Sequence, residues 1–380
     1  MSFPACVPEL TDGVVRLRAH AEGDLDRIVE QASDPESLRW TTVPQPYGVE
    51  QAREFLDLIR TNWEGSGSNL MWALTDANDP EDSFQGTIDI RSRGGGLAAV
   101  GYGLHPQGRG RHLMAGALRL VRDWWFDNQG GARLTWAAFG GNLGSWAVAR
   151  AAGFRFETVN PRCATLRTGE IVDEWHGSID AGDPREPGTP WFTPPRIAAG
   201  PVVLRDWREE DLAAIEPHDH PSHWLPARGI PDPGSFPAWL ARRRMYAARG
   251  AVQGWCIADA ANDTALGDVA VFATGDALTV GGTGNLGYWL SPSARRRGLL
   301  TPAVHAAVAH AFAPVAPGDL TGASGLGQRR LVAETAADNA GSNRALERAG
   351  FTVWGEEAAA DAPDGSVGPA RHWELLNPTA

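Results

Sequence analysis

The chain has 380 residues, which suits two domains better than one, and it carries a formal net charge of −12 at pH 7. This acidic charge disfavours a nucleic-acid partner, and the lack of any apolar run of 18 residues argues against a membrane-spanning helix. Three scattered cysteines, and an N-terminus without the pattern of a signal peptide, predict a cytoplasmic protein with no disulfide frame and no zinc cluster.

The two halves of the sequence repeat each other. Landmarks of the first half recur in the same order 183–197 positions later. They are Leu17-Arg18, Trp72, Gly101-Tyr102, Arg109 and Asn142-x-x-Ser145, which return as Leu204-Arg205, Trp255, Gly287-Tyr288, Arg295 and Asn339-x-x-Ser342. Constant order and spacing indicate a duplicated domain. The predicted domains are residues 1–180 and 201–380, joined by a proline-rich linker over residues 181–200.

Each copy has the same predicted elements. A strand (14–18 or 202–205) leads into a helix that Asp24 or Asp211 starts, and a second helix follows (49–63 or 236–248). Two more strands and a third that ends at Leu104 or Leu290 precede a helix with apolar residues at helical spacing. Another strand, a short helix and closing strands complete the copy, which predicts a mixed α/β sheet. Residues 314–328 read as a loop inserted into the second copy.

An arginine- and glycine-rich turn joins a strand to a helix in each copy. The turns read Leu104-His-Pro-Gln-Gly-Arg109-Gly-Arg-His-Leu-Met114 and Leu290-Ser-Pro-Ser-Ala-Arg295-Arg-Arg-Gly-Leu-Leu300. Backbone amides at a helix N-terminus bind anions, and arginine side chains add charge-assisted hydrogen bonds. The alternative is an exposed basic turn. Its presence in both copies, in register with the Asn-x-x-Ser motif, favours a pyrophosphate site.

Both halves resemble GNAT acetyltransferases of the RimJ/RimL type, over residues 14–179 and 202–376. The resemblance rests on the Arg/Gln-x-x-Gly-x-Gly/Ala turn, on Asn-x-x-Ser and on the Gly-Phe that follows it. It implies an α/β, mixed-sheet fold of two acyl-CoA N-acyltransferase domains. It also implies direct transfer of an acyl group from acetyl-CoA, or another acyl-CoA, to a primary amine of a small molecule or a protein N-terminus. A homodimer is compatible with it, and no metal is implied.

The resemblance places the acyl-CoA at the turns and along the strand before each, which a bulge is expected to open near Gly101 and Gly287. The second turn fits the family pattern better, because Gly298 stands where the first copy has His112. The residues assigned to CoA are Leu104, Arg109, Gly110, Arg111, His112, Leu113, Met114 and Asn142 in the first copy, and Leu290, Arg295, Arg296, Arg297, Gly298, Leu299, Leu300 and Asn339 in the second.

Catalytic candidates follow from the same resemblance. Ser145 and Ser342 match the family serine that serves the CoA thiolate, and the alternative for both is a helix cap. A tyrosine common in the family is absent, since Ala149 and Leu346 occupy its place.

Two carboxylates are candidates for the general base. Glu334 in the second copy and Asp89 in the first are substitutes for the usual glutamate, and an ordinary strand carboxylate is the alternative for each. Tyr102 and Tyr288 either pack or touch substrate.

His218, His220 and His223 have spacings that suit a metal ion, but the sequence favours a polar acceptor loop, with Trp40 and Trp224 lining an amine pocket or packing in the core. Two functions remain open. The first is an N-acyltransferase with one or two working sites. The second is a non-catalytic acyl-CoA-binding or scaffold protein in which one or both copies are degenerate.

Overall fold

The computed structural model describes residues 6–64, 68–217, 219–224, 229–362 and 364–379. It divides into two compact units, Met1–Thr189 and Pro190–Ala380. Each unit holds one eight-stranded mixed sheet with helices packed on it, which confirms the predicted fold class. Within the described segments, no helix is long and apolar enough to cross a membrane.

The first unit has its sheet in the order β1-β2-β3-β4-β5-β6-β8-β7, and only β5 and β6 pair in parallel. Its helices are α1 (Leu25–Ser33), α2 (Pro35–Trp40), α3 (Val49–Glu64), α4 (Leu113–Asp123) and α5 (Leu143–Ala151). Its strands are β1 (Leu10–Thr11), β2 (Val15–Arg18), β3 (Asn69–Asp76), β4 (Gly86–Gly94), β5 (Leu97–Leu104), β6 (Arg133–Phe139), β7 (Arg155–Thr165) and β8 (Ile171–Asp180).

The second unit repeats this sheet as β15-β16-β14-β13-β12-β11-β10-β9, with β13 and β14 parallel. Its helices are α6 (Phe236–Ala248), α7 (Leu300–Phe312) and α8 (Ala340–Arg348). Its strands are β9 (Ile197–Ala199), β10 (Val202–Arg205), β11 (Val252–Asp259), β12 (Ala265–Ala273), β13 (Thr283–Leu290), β14 (Arg330–Ala336), β15 (Thr352–Asp361) and β16 (Val367–Leu376). The helix predicted at Asp211 is wrong, because only a 3-10 turn forms there, Glu209–Ala214.

The predicted linker segment makes contacts within both units. Arg185 pairs with Asp123 and Asp127 of the first unit. The amide of Phe192 donates to the carbonyl of Ala247 at 3.0 Å in the second unit, and β9 pairs antiparallel with β10. These contacts order the segment on either side of the division between Thr189 and Pro190.

Tryptophans fill the cores on both sides of the sheets. Trp72 of the first unit and Trp255 of the second occupy matching strands and are fully buried. The second unit has a further aromatic cluster on the opposite face of its sheet, where the Trp207 ring lies 5.2 Å from Trp239 and 5.9 Å from Trp289. This cluster supports one wall of the pocket described below.

The repeated Leu-Arg motif provides a buried ion pair in each unit. In the second, Arg205 donates to both oxygens of Asp211 at 2.7 and 2.9 Å, and its side chain is only 3% exposed. In the first, Arg18 does the same with Asp24. The carboxylate of Asp211 also accepts from the amide of Arg208, which fixes the 3-10 turn beside β10. The motif therefore fixes the turn that follows β2 in the first unit and β10 in the second.

Candidate active site

An opening between two parallel strands forms the centre of each unit. Strands β5 and β6 pair only from Leu97 to Val100, and β13 and β14 pair only from Thr283 to Asn285. Beyond these points the parallel strands diverge. The predicted bulge near Gly101 and Gly287 is wrong, because both residues keep regular register with the strand on their other side. Because the strands diverge, the backbone groups of Gly101–Leu104 that face the opening form no hydrogen bonds with β6. Those of Leu286–Leu290 likewise form none with β14.

A tyrosine and a serine meet at this opening in the second unit. The Tyr288 hydroxyl lies 2.8 Å from Ser342 Oγ. Asn339 caps α8 by accepting from the amide of Ser342 at 3.1 Å, which fixes the serine at the start of the helix. Burial raises the pKa of Tyr288 to about 12, so its hydroxyl stays protonated at neutral pH. The pair therefore keeps both of its hydroxyl protons at neutral pH at the strand opening.

The matching pair in the first unit has a third member. Tyr102 donates to the Ser145 carbonyl at 2.7 Å, and Ser145 Oγ donates back to the Tyr102 oxygen at 3.2 Å. Trp136 Nε1 donates to the same Ser145 Oγ at 3.0 Å. Both hydroxyl protons are therefore held within the unit. In the second unit Ala333 stands at the position of Trp136. The Tyr288 hydroxyl lies 3.3 Å from the Ser342 carbonyl, a longer contact than the 2.7 Å of the first unit.

Both turns present unpaired backbone amides. Among the described residues, the amides of Gly110, Arg111 and His112 have no acceptor, and neither do those of Arg296 and Gly298. Alternate residues of each turn adopt positive φ. The angles are 72° at Gly110 and 58° at His112 in the first turn, and 59° at Arg296 and 74° at Gly298 in the second. Alternation of this kind points successive N–H groups to one side and creates an anion-binding concavity.

The arginine side chains of the turns are largely occupied by carboxylates. Arg109 binds Asp34, and Arg295 binds Asp219 and His220. These contacts hold the pKa of Asp34 and that of Asp219 below the usual value, because each carboxylate accepts a hydrogen bond from its arginine. Arg111 and Arg297 bind Asp76 and Asp259.

Arg296 is the exception. It is exposed and has no hydrogen-bond or ion-pair partner among the residues that the structure describes. Its guanidinium is therefore the cation of the second turn that is available to a ligand.

The apolar residues predicted to touch CoA can do so only through their backbone. Leu113, Met114 and Leu299 are at most 5% exposed, and their side chains lie in the cores beneath the helices. Leu104 and Leu290 end the strands that lead into the turns, and Leu300 begins α7. Asn142 and Asn339 are helix caps, so they position Ser145 and Ser342.

We expect the His112→Gly variant to have a free energy of unfolding roughly 0.5–1 kcal/mol higher than that of the wild type. His112 holds a left-handed backbone conformation that glycine adopts freely. Gly298→Ala should lower it by roughly 1 kcal/mol, since a Cβ there meets no atom within 4 Å and only the backbone conformation opposes it. Urea unfolding of the full chain measures both. Gly23→Ala is the control, and an equal loss there would contradict this explanation.

The two carboxylates considered as general bases lie on the sheet face opposite the tyrosines. Asp89 is half-buried, which raises its pKa, and it accepts from Arg91 Nε at 2.8 Å. A Cβ at Gly101 would come within 2.6 Å of both side chains, so this pair fills the face beside the first opening. Glu334 is exposed on β14, with Oε2 3.6 Å from His372 Nδ1.

The face beside the second opening is a pocket, which the sequence reading missed. The pocket is shallow and partly open, with a cavity volume of about 50 Å³. Its lining includes Trp239, Arg242, Arg243, Asp268, Gly287 and Tyr288. The signal available in the sequence was the run of three arginines within an otherwise apolar α6, residues 242–244.

The histidine-rich loop binds protein groups. His220 contacts Arg295 at 2.8 Å, and His223 and Trp224 both bind Asp338 on the loop before α8, at 3.0 and 2.8 Å. His218 lies outside the described residues. No group of three His, Cys, Asp or Glu within the described ranges is arranged to hold a metal ion. Trp40 donates to Glu36 on its own helix.

Comparison with known protein families identifies the family of this chain. The acetyltransferase (GNAT) domain family matches it twice, over residues 15–155 and 202–352. The chain belongs to the GNAT acetyltransferase family. This membership confirms the resemblance, and the duplicated match confirms that two GNAT domains occur in one chain. No curated protein matches the sequence significantly.

Solved structures of the GNAT family each match about half of the chain. An acetyltransferase from Bacillus anthracis is 16% identical, with 46% of this chain and 100% of that one covered and a TM-score of 0.41. RimJ of Mycobacterium smegmatis, in complex with CoA-disulfide, is 22% identical, with 48% and 90% covered and a TM-score of 0.41. A GCN5-related N-acetyltransferase from Brucella melitensis is 20% identical, with 46% and 79% covered and a TM-score of 0.39.

Proposed function

We propose that the second GNAT domain is an acyl-CoA-dependent N-acyltransferase that transfers the acyl group directly to a primary amine. The observation that carries this proposal is the Tyr288–Ser342 hydroxyl pair at the strand opening. Tyr288 lies on β13, the strand that leads to the unpaired amides of the second turn. Acetyl-CoA is the donor we propose, and no metal takes part.

The turn binds the donor and the hydroxyl pair serves its leaving group. The unpaired amides of Arg296 and Gly298 and the free guanidinium of Arg296 donate hydrogen bonds to the diphosphate. The acyl-CoA supplies an acyl group on a thiolate leaving group. The amine nitrogen attacks the thioester carbonyl carbon, the C–S bond breaks, and the thiolate takes a proton from Ser342. Tyr288 passes its own proton to Ser342, and solvent returns a proton to Tyr288.

The attacking amine must lose a proton as the new bond forms. Glu334 is the carboxylate proposed to receive it, because it lies on β14 at the far side of the opening from Gly287 and is exposed to solvent. The acceptor is a primary amine of a small molecule or a protein N-terminus.

The alternative of a degenerate, non-catalytic copy applies to the first GNAT domain. Trp136 completes a closed hydrogen-bond network around Ser145. His112 adds a side chain in the turn where the second domain has Gly298. We propose that this domain does not turn over acyl-CoA, and that the mixed arrangement of one working site and one degenerate copy describes the chain.

Titration of acetyl-CoA by calorimetry tests this assignment. We expect one site per chain, and Arg296→Ala should raise its Kd about tenfold, corresponding to about 1.4 kcal/mol. Arg119→Ala, an exposed arginine on α4, is the matched control and should bind like the wild type, as should Arg109→Ala.

Two outcomes would oppose the proposal. Unchanged binding by Arg296→Ala would place the diphosphate elsewhere. Tight binding without release of CoA thiol for any amine in a panel would favour the acyl-CoA-binding scaffold.

A further inference from the structure

One cross-strand pair beside the opening differs between the two domains. In the first domain Trp136 of β6 is paired with Gly177 of β8, and in the second Ala333 of β14 is paired with Trp373 of β16. Each pair therefore carries a single indole, but on opposite strands. A Cβ at Gly177 would lie 3.3 Å from the Trp136 ring, so the space between the strands and the helix above them holds only one indole.

The indole N–H donates to a different group in each domain. Trp136 Nε1 donates to the hydroxyl of Ser145 at 3.0 Å. Trp373 Nε1 donates instead to the hydroxyl of Thr335, at 2.8 Å. Thr335 has no hydroxyl counterpart in the first domain, where Ala138 stands at its position. The second domain has thus acquired both a new place for its indole and a new acceptor for the N–H.

Thr335 belongs to a buried chain of hydrogen bonds whose direction is fixed. An indole N–H can only donate, so the Thr335 oxygen accepts from Trp373 and its own proton goes to Asn343 Oδ1, at 2.6 Å. Asn343 Nδ2 then donates to the carbonyl of Ala337 at 3.0 Å. The three side chains are at most 8% exposed. The chain ties the first turn of α8 to β14, to β16 and to the loop before the helix.

Ser342 precedes Asn343 in that turn, so its position depends on this chain. Within the described segments, Ser342 Oγ forms a hydrogen bond only with Tyr288, and either hydroxyl of this pair can be the donor. In the first domain an indole donates to the Ser145 hydroxyl, which then donates onward. Absence of an indole donor leaves the direction of the second pair open, as transfer of a proton through it requires.

We propose that Thr335 and Asn343 are positioning residues for the Ser342 hydroxyl. Together they hold the first turn of α8 at the opening, and Thr335 accepts the Trp373 N–H, so that no indole donates to Ser342 as one does to Ser145. This inference rests on the proposed function, in which Ser342 protonates the departing thiolate. Neither residue touches the reacting atoms, and both act through the serine.

The test removes the Thr335 hydroxyl and then restores it. Thr335→Val has nearly the same shape but can neither accept from Trp373 nor donate to Asn343, so we expect kcat for CoA release to fall about tenfold. KM for acetyl-CoA should change less than about twofold, because the donor turn is untouched. Thr335→Ser keeps the hydroxyl and should retain at least about half of the wild-type kcat. Ile257→Val, a core substitution on β11, controls for a general loss of stability and should also keep kcat.

Crystal structures of both Thr335 variants provide a readout that needs no turnover. We expect the Tyr288 and Ser342 hydroxyls to lie beyond hydrogen-bond distance in Thr335→Val and within it in Thr335→Ser. That result supports the positioning role even if the wild type releases no CoA with any amine, in which case the proposed function alone fails. An unchanged hydroxyl pair in Thr335→Val overturns the inference, and so does a wild-type kcat, which leaves the proposed function standing. A loss of kcat as large in Thr335→Ser or in Ile257→Val also overturns it.

Discussion

Replacing Ser342 with alanine is expected to lower kcat for acyl transfer about 100-fold, whereas Ser145→Ala should change kcat less than about twofold. The physical reason is the fate of the hydroxyl protons. In the second domain Ser342 and Tyr288 keep a proton that can pass to the departing thiolate. In the first domain Tyr102 donates to the Ser145 carbonyl and Ser145 Oγ donates to Tyr102, so both hydroxyl protons are engaged, while Trp136 Nε1 donates to Ser145 Oγ. Loss of a positioned proton donor costs about 10²–10⁴ in rate.

The measurement is release of CoA thiol at saturating acetyl-CoA and amine. Because Asn339 caps α8 through the amide of residue 342, the alanine variant keeps this backbone contact, and KM for acetyl-CoA should stay close to the wild-type value. Tyr288→Phe should lose less activity than Ser342→Ala, since it removes only the replenishing hydroxyl. Loss of activity in Ser145→Ala with full activity in Ser342→Ala would falsify the assignment of the working site.

The pH dependence follows from the same pair. A hydroxyl donates a proton only while it is protonated, and burial raises the pKa of Tyr288 to about 12. The rate should therefore rise with pH as the amine substrate loses its own proton, and the hydroxyl pair should cause no decline below pH 10. A fall in kcat between pH 8 and 10 that disappears in Tyr288→Phe would contradict this reading of the proton donor.

Replacing Arg205 with alanine is expected to lower the free energy of unfolding by about 3–5 kcal/mol. The variant leaves Asp211 buried without its counter-ion, and an unpaired buried charge is far more costly than the pair itself is stabilising. Arg18→Ala should have an effect of similar size in the first domain, because the Asp24 carboxylate that it leaves unpaired is as buried as that of Asp211, with side chains 5% and 8% exposed. Urea unfolding of the full chain measures both.

Two further variants separate the cost of the unpaired charge from a general loss of packing. The double variant Arg205→Ala with Asp211→Ala should recover part of the stability, because no buried charge is then left over. Arg244→Ala removes an exposed ion pair with Glu209 and should change the free energy by less than about 1 kcal/mol. A double variant as unstable as Arg205→Ala would show that the charge pair is not the cause.

The family and the duplication could be read from the sequence because they depend on local, ordered signals. Arg109 and Arg295, the Asn-x-x-Ser motifs and the Leu-Arg motifs keep their spacing in both copies, and hydrophobic periodicity defines most strands and helices. The exception is instructive. Asp211 predicts a helix start as Asp24 does, yet only a 3-10 turn follows. Both carboxylates make the same contacts, with an arginine and a preceding amide, so they do not cause the difference. In the second copy Pro217 follows Asp211 after six residues, and proline cannot continue a helix.

The chemistry of each copy was decided by contacts between residues far apart in the chain. Sequence alone could not show that Trp136 closes the hydroxyl network of Ser145, or that Arg109 and Arg295 are already bound by Asp34 and Asp219. The pocket depends on α6, β12 and β13 meeting at one face. Motif spacing fixes backbone geometry within one turn or helix, whereas the availability of a proton or a guanidinium depends on every neighbour that packing brings to it. For this protein the sequence determined the two GNAT domains, and the tertiary structure distinguished them.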